Sequence, residues 1–240
     1  MDKIGGRYQV LQELGTGATA QVLLVWDEVL HRKLAVKKSK LKELLVQEGR
    51  VLASLSASLF PHLYDYREEQ EFGYLFIEYV QGENLKMRAV RIGRFTVQEV
   101  LHIGLQIAEA LHLLHVGPKV YVYGDIKPEN VIMQDNGTIK LIDFGAACDL
   151  QEGNQIRGGT KFYAPPEMWN QKPDIRNDIY SLGIMLKFLF LYGERTQDEL
   201  DDAIVRMIER CIQKNVLYRY QSMEQLINQL KVLVEEYRLR

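Results

Sequence analysis

Short apolar runs broken by polar turns fill the first third of the chain. Tyr8–Leu14 and Ala20–Trp26 read as strands on either side of Gly15-Thr-Gly-Ala-Thr19, which makes them a hairpin. Lys33–Lys37, His62–Tyr66 and Tyr74–Val80 read as three more strands, the last two separated by the charged turn Arg67–Glu71. Between them, apolar residues at 41, 44, 45, 51, 52 and 55 fall at helical spacing and predict a helix over Lys40–Leu55. Five strands and one helix make a small α+β unit over residues 1–80.

From residue 84 onward the pattern becomes helical. Thr96, with Glu99 three positions on, forms a capping box that opens a long amphipathic helix to about His115. Thr196 with Glu199, and Ser222 with Gln225, repeat that spacing and open two further helices. Ile184–Tyr192, interrupted by Lys187, reads as a buried helix. The boundary between the two regions falls at Gln81-Gly-Glu83, a short connector and not a flexible tether.

A chain of 240 residues, 47% hydrophobic, is long enough for one large domain or two lobes. Its net charge is −2 and it has no long Lys/Arg run, which argues against nucleic acid as a partner. Cys148 and Cys211 lie far apart without CxxC spacing, as expected of a reduced, cytoplasmic protein. Met1–Arg7 lacks the apolar core of a signal peptide, and the longest apolar run is too short to span a bilayer. His102, His112 and His115 fall near one helical face, but Leu and Ala surround them. No Cys or carboxylate pattern accompanies them, so they are not read as a metal site.

The chemistry concentrates in two blocks. Tyr123-Gly-Asp-Ile-Lys-Pro-Glu-Asn130 places Asp125, Lys127 and Asn130 at i, i+2 and i+5, in a polar loop between apolar runs. Leu141-Ile-Asp-Phe-Gly145 sets Asp143 at the end of a strand-like run, where a glycine lets the backbone turn. Two carboxylates, a lysine and an asparagine in this order suit the holding of magnesium and a terminal phosphate beside an acceptor hydroxyl. Either block alone arises by chance in roughly 3% of chains this long, so their close succession in order is informative. The bland alternative is a pair of Asx turns.

Gly15-x-Gly17 is weak by itself. A dinucleotide fingerprint needs a helix directly after the glycines, whereas Gln21–Val25 reads as a strand, so this loop would close over phosphates as a lid. Lys37 ends an Ala-Val-Lys strand, and Glu48 on the following helix is placed to orient it.

With these residues the chain resembles the eukaryotic-like Ser/Thr protein kinases, in a bacterial form, over residues 8 to about 235. Gly159–Glu167 looks like that family's substrate-side segment, Asp178–Gly183 like its buried Asp-bearing helix, and Arg219 like the arginine that pairs with Glu167. The resemblance implies an α+β, bilobal fold: one catalytic domain over 1–240, with a small lobe over 1–80 and a larger, mainly helical lobe over 81–240. It implies that Gly15, Gly17 and Val22 cover ATP, that Ala35 packs on the adenine, and that Lys37, held by Glu48, grips the α- and β-phosphates. Ile77 would be the gatekeeper, the backbones of Glu78 and Val80 would bond the base, and Ile132 belongs to the same nucleotide site. Asp125 would orient the acceptor hydroxyl and take its proton, Lys127 would neutralise the migrating phosphoryl group, and Asn130 and Asp143 would hold Mg2+. The implied partner is a protein substrate with a Ser or Thr acceptor. The chain would be cytoplasmic, or the cytosolic catalytic part of a longer membrane-tethered protein.

Three departures from the family pattern stand out. Ala20 replaces the third glycine of the lid, Tyr123-Gly124 replaces the usual His-Arg before the catalytic Asp, and the stretch between Asp178 and Arg219 looks one helix short. In relatives that arginine receives a phosphate on the activation segment. Here Thr160 and Tyr163 are the only hydroxyl residues between Ala146 and Tyr163, and the resemblance assigns Thr160 to the active site. Activity independent of activation-segment phosphorylation is therefore expected. Two other readings are a pseudokinase acting as a nucleotide-binding scaffold, and a small-molecule kinase on the same fold. Asp198, Glu199, Asp201 and Asp202 could form an acidic patch for a basic partner, but acidic residues favouring a helix start are the better explanation.

Overall fold

The computed structural model describes residues 3–152, 156, 158–191 and 199–239. The chain divides into two compact units, one of Met1–Gln81 with Ile142–Gly145, the other of Gly82–Leu141 with Ala146–Arg240.

The first unit is an antiparallel sheet with one helix. Its strands are β1 (Lys3–Ile4), β2 (Tyr8–Thr16), β3 (Gln21–Asp27), β4 (Arg32–Ser39), β5 (Leu63–Glu69) and β6 (Phe72–Glu78), in the order β1-β2-β3-β4-β6-β5. Helix α1 (Lys42–Ala53) lies between β4 and β5 in sequence and packs against β6 and β5. Alternation sorts the residues onto two faces. Leu23, Val25, Leu34, Val36 and Phe76 join Ile4, Tyr8 and Tyr74 in a buried cluster on one face. Full burial of each large apolar side chain contributes about 1.5–3 kcal/mol.

Five strands were expected here and six are present. The additional β1 pairs Ile4 with Tyr8 after a turn at Gly5 and Gly6. Two residues carry no measurable periodicity, so the pattern could not announce it. The charged stretch read as a turn is largely strand as well: β5 runs to Glu69, and the reversal is confined to Gln70 and Glu71.

The second unit is mainly helical, with α2 (Leu85–Ile92), α3 (Val97–His115), α4 (Arg176–Leu191), α5 (Glu199–Cys211) and α6 (Met223–Arg238). The α3 capping box forms as its sequence predicts. This helix packs on α4 and α6, and α5 packs on the same two. Short strands carry the loops: β7 (Glu83–Asn84), β9 (Val131–Met133) and β10 (Ile139–Leu141) form one sheet, while β8 (Tyr121–Val122) pairs with β11 (Cys148–Asp149). β7 can lie on β9 because residue 82 is glycine. Its φ is +154°, and a Cβ there would run into the Met133 carbonyl oxygen. One helix, α5, separates α4 from α6 among the described residues. Thr196 and Asp198, which carry the expected cap and part of the expected acidic patch, lie outside the described residues.

Candidate active site

In the first unit the hairpin of β2 and β3 sets Gly15 opposite Val22, and Gly17 N–H donates to the Ala20 carbonyl at 2.9 Å to close its tip. Strand register then places several expected residues on one face, opposite the buried cluster. Val22 pairs with Lys37 across β3 and β4, and Ala35 pairs with Ile77 across β4 and β6. Ala35, Ile77 and Val80 are buried. Glu78 ends β6, and its N–H already goes to the His62 carbonyl at 2.8 Å.

Lys37 is 7% exposed and is held by two carboxylates. Its Nζ donates to Glu48 on α1, and to Asp143 Oδ1 at 2.7 Å. Burial pulls the ammonium pKa down, but the Glu48 and Asp143 charges outweigh it and hold Lys37 above its ordinary value. Burial pushes the Glu48 carboxyl up against the pull of Lys37. Glu48 Oε1 also accepts the Phe144 N–H at 2.9 Å, and the Phe144 ring meets Phe60 edge-on at 5.7 Å. These contacts explain why Ile142–Gly145 belongs to the first unit. Asp143 has a φ of +68° and a side chain 45% exposed, and its Oδ1 also accepts the Gly145 N–H at 3.3 Å.

The second unit gathers the other block. Lys127 Nζ donates to Asp125 Oδ2 at 2.6 Å and to Thr160 Oγ1 at 3.0 Å. Thr160 gives its N–H and its hydroxyl to Asp125 Oδ1, at 2.8 and 2.9 Å. The Asn130 amide nitrogen donates to the Asp125 carbonyl and carboxylate at 2.9 and 3.1 Å, which turns its oxygen to the opposite side. Asn130 closes a 3-10 turn, Pro128–Asn130, that starts with a proline. Ile132 sits half-buried on β9, paired with Lys140 and Asn84.

Two supports hold this loop. The first is Asp178 on α4, fully buried, which accepts Tyr123 N–H at 2.8 Å and Gly124 N–H at 2.9 Å, and bonds His115 Nε2 at 2.9 Å. The part played by His115 was missed in the sequence, where its one signal was a polar residue on an apolar helix face. The second is Gly124 itself, with φ +79°. A Cβ there would sit 3.0 Å from Ile156 Cγ2 and 3.1 Å from the Ala146 carbonyl oxygen. The chain packs its own following segment against the bare backbone at this position.

The expected Glu167–Arg219 pair forms. Arg219, 1% exposed, donates through Nη1 and Nη2 to the two Glu167 oxygens at 2.6 and 2.9 Å, and Asn177 donates to the same carboxylate at 3.0 Å. A planar guanidinium matched to both carboxylate oxygens is the strongest ion-pair geometry available to side chains.

Comparison with known proteins bears on the family of the chain. Residues 8–237 match the family model described as protein kinase domain. The chain is 28% identical to a probable serine/threonine-protein kinase of Clostridium acetobutylicum over 98% of its own length and 41% of that protein. It is 27% identical to the serine/threonine-protein kinase PrkC of Bacillus subtilis, over 99% of its length and 42% of PrkC. A probable serine/threonine-protein kinase of Bifidobacterium longum is 32% identical over 76% of this chain and 26% of its own. The chain thus spans about two fifths or less of the length of these relatives. With a family match over nearly its whole length, the chain belongs to the protein kinase family.

Proposed function

We propose that this chain is a catalytic domain that uses ATP and magnesium to phosphorylate Ser and Thr hydroxyls of protein substrates. The observation that carries the reading is the trio in the second unit. A threonine hydroxyl rests on the Asp125 carboxylate while the Lys127 ammonium contacts both. Base, acceptor-type hydroxyl and charge neutraliser are already in hydrogen-bond contact, as phosphoryl transfer by positioning and electrostatics requires.

The roles follow from that chemistry. Asp125 orients the substrate hydroxyl and accepts its proton, and Lys127 neutralises the charge that gathers on the phosphoryl group. Lys37 bonds the α- and β-phosphates, with Glu48 keeping its ammonium aimed. Gly15, Gly17 and Val22 cover the nucleotide, and Ala35, Ile77, Val80 and Ile132 surround the base. Because the Glu78 N–H goes to His62, Glu78 contributes to the base through a group other than that donor. Asn130 and Asp143 hold Mg2+. They fit it, since an amide oxygen turned away from Asp125 and a half-exposed carboxylate are the hard oxygen donors magnesium takes. Among the described residues no three His, Cys, Asp or Glu side chains form a cage, so the remaining ligands would be water and phosphate oxygens. Bound there, magnesium offsets the phosphate charge and fixes its orientation.

The Ile156 packing at Gly124 supports activity that does not depend on activation-segment phosphorylation. Phe162, 69% exposed, and Trp169 supply apolar surface for a substrate peptide. Cys148 and Cys211, buried and outside any disulfide, support a cytosolic setting, whether the chain acts alone or within a longer tethered protein.

The test is a screen of phosphate transfer with generic basic proteins against small alcohols and aminoglycosides, before and after phosphatase treatment. Labelled protein and undiminished turnover after phosphatase are expected. Transfer to the small molecules alone would refute the protein-kinase reading, and a large loss after phosphatase would refute ungated activity.

A further inference from the structure

The lid is fastened by Ser39, a residue outside the motifs named above. Two residues past Lys37, the strand ends at Ser39, which is 4% exposed. Its hydroxyl donates to the Thr19 carbonyl at the tip of the glycine-containing hairpin. The same oxygen accepts the N–H of Leu41, the residue that caps α1, at 3.0 Å. One side chain therefore joins the hairpin tip to the start of the helix that bears Glu48. Further down the hairpin, Glu13 has both oxygens occupied, by Thr16 Oγ1 and Gln21 Nε2, each at 2.6 Å. The Gln21 bond ties β3 to β2, and the Thr16 bond holds the end of β2 on itself.

We propose that Ser39 is a positioning residue that locks the lid and α1 into one arrangement, so that lid placement and the Lys37–Glu48 pair are set together. The proposal rests on the nucleotide-binding reading above. A trans peptide plane fixes the consequence at the tip. Holding the Thr19 carbonyl on Ser39 points the Ala20 N–H in the opposite direction and keeps it there. Residue 20 is alanine and not glycine, so an imposed peptide orientation stands in for the backbone freedom a glycine would have. A lid that is in place only part of the time lowers apparent nucleotide affinity by that fraction.

Ser39→Ala and Ser39→Thr, made in the full chain, test this. Binding of Mg·ADP is measured by titration, and amide hydrogen exchange is followed without nucleotide. Ser39→Ala is expected to weaken Mg·ADP about three- to tenfold, the worth of one or two neutral hydrogen bonds. Exchange should quicken together over residues 15–20 and 41–45, and Ser39→Thr, which keeps the hydroxyl, should restore both. Unchanged affinity in Ser39→Ala overturns the proposal, as does quickened exchange in only one of the two segments or a failure of Ser39→Thr to restore. If the wild-type chain binds no Mg·ADP, the functional reading falls, and hydrogen exchange alone still decides whether Ser39 joins lid to helix.

Discussion

Asp27 shows how much one carboxylate at a strand end can hold. It is fully buried, takes a two-pronged bond from Arg7 at 2.7 and 2.6 Å, and accepts the N–H groups of Val29 and Leu30. The Arg7 guanidinium, with help from those amides and against burial, lowers its pKa from 3.8 to about 2. A pKa lowered by folding stabilises the folded state fully above the unfolded value, and that share drains away as pH falls through the folded one. Urea unfolding of the wild type should therefore lose about 2 kcal/mol from this group between about pH 5 and pH 2. Asp27→Asn should lose correspondingly less over that range, and an identical acid response in both would contradict the assignment. Arg219 makes a different prediction. Removing it alone, as Arg219→Leu, strands Glu167 and should cost about 3–5 kcal/mol, whereas replacing both partners with leucine should recover much of that loss. Equal losses in the single and double variants would mean that the pair itself, and not the orphaned charge, sets the cost.

Among the elements, legibility followed length and period. β2 to β6, α1 and α3 announced themselves because seven or more residues repeat an alternation or a helical stripe against a cap. β1, β7, β8 and β11 are two residues each and exist through tertiary pairing, which no local pattern encodes. The chemistry proposed for the Tyr123–Asn130 and Leu141–Gly145 blocks suggested itself for the opposite reason, since such chemistry would fix residue type and spacing within one short loop. Ser39, Glu13 and His115 were not legible, because a hydroxyl, a carboxylate or an imidazole at those positions is ordinary until its partner's place is known. Gly124 lies between these cases. Its replacement of arginine was visible, but its φ of +79° and the Ile156 packing were not. Gly124→Ala should cost about 1–2 kcal/mol from the left-handed backbone alone, and lower turnover by shifting Asp125. Wild-type stability and turnover in that variant would show the close packing to be unimportant.

For the whole molecule, each unit carries one share of the proposed chemistry: Lys37, Glu48 and Asp143 in the first, Asp125, Lys127 and Asn130 in the second. Among the described residues no helix is long and apolar enough to cross a membrane. The central claim is that Asp125 serves transfer of phosphate to protein hydroxyls. The most direct measurement incubates wild-type and Asp125→Ala chains with labelled ATP and magnesium, maps the modified residues, and checks that both variants unfold at the same temperature. The account predicts phosphoserine or phosphothreonine from the wild type, lost on chelating magnesium and at least about a hundredfold slower in Asp125→Ala. No labelled protein from the wild type, or equal labelling by the two chains, would contradict it.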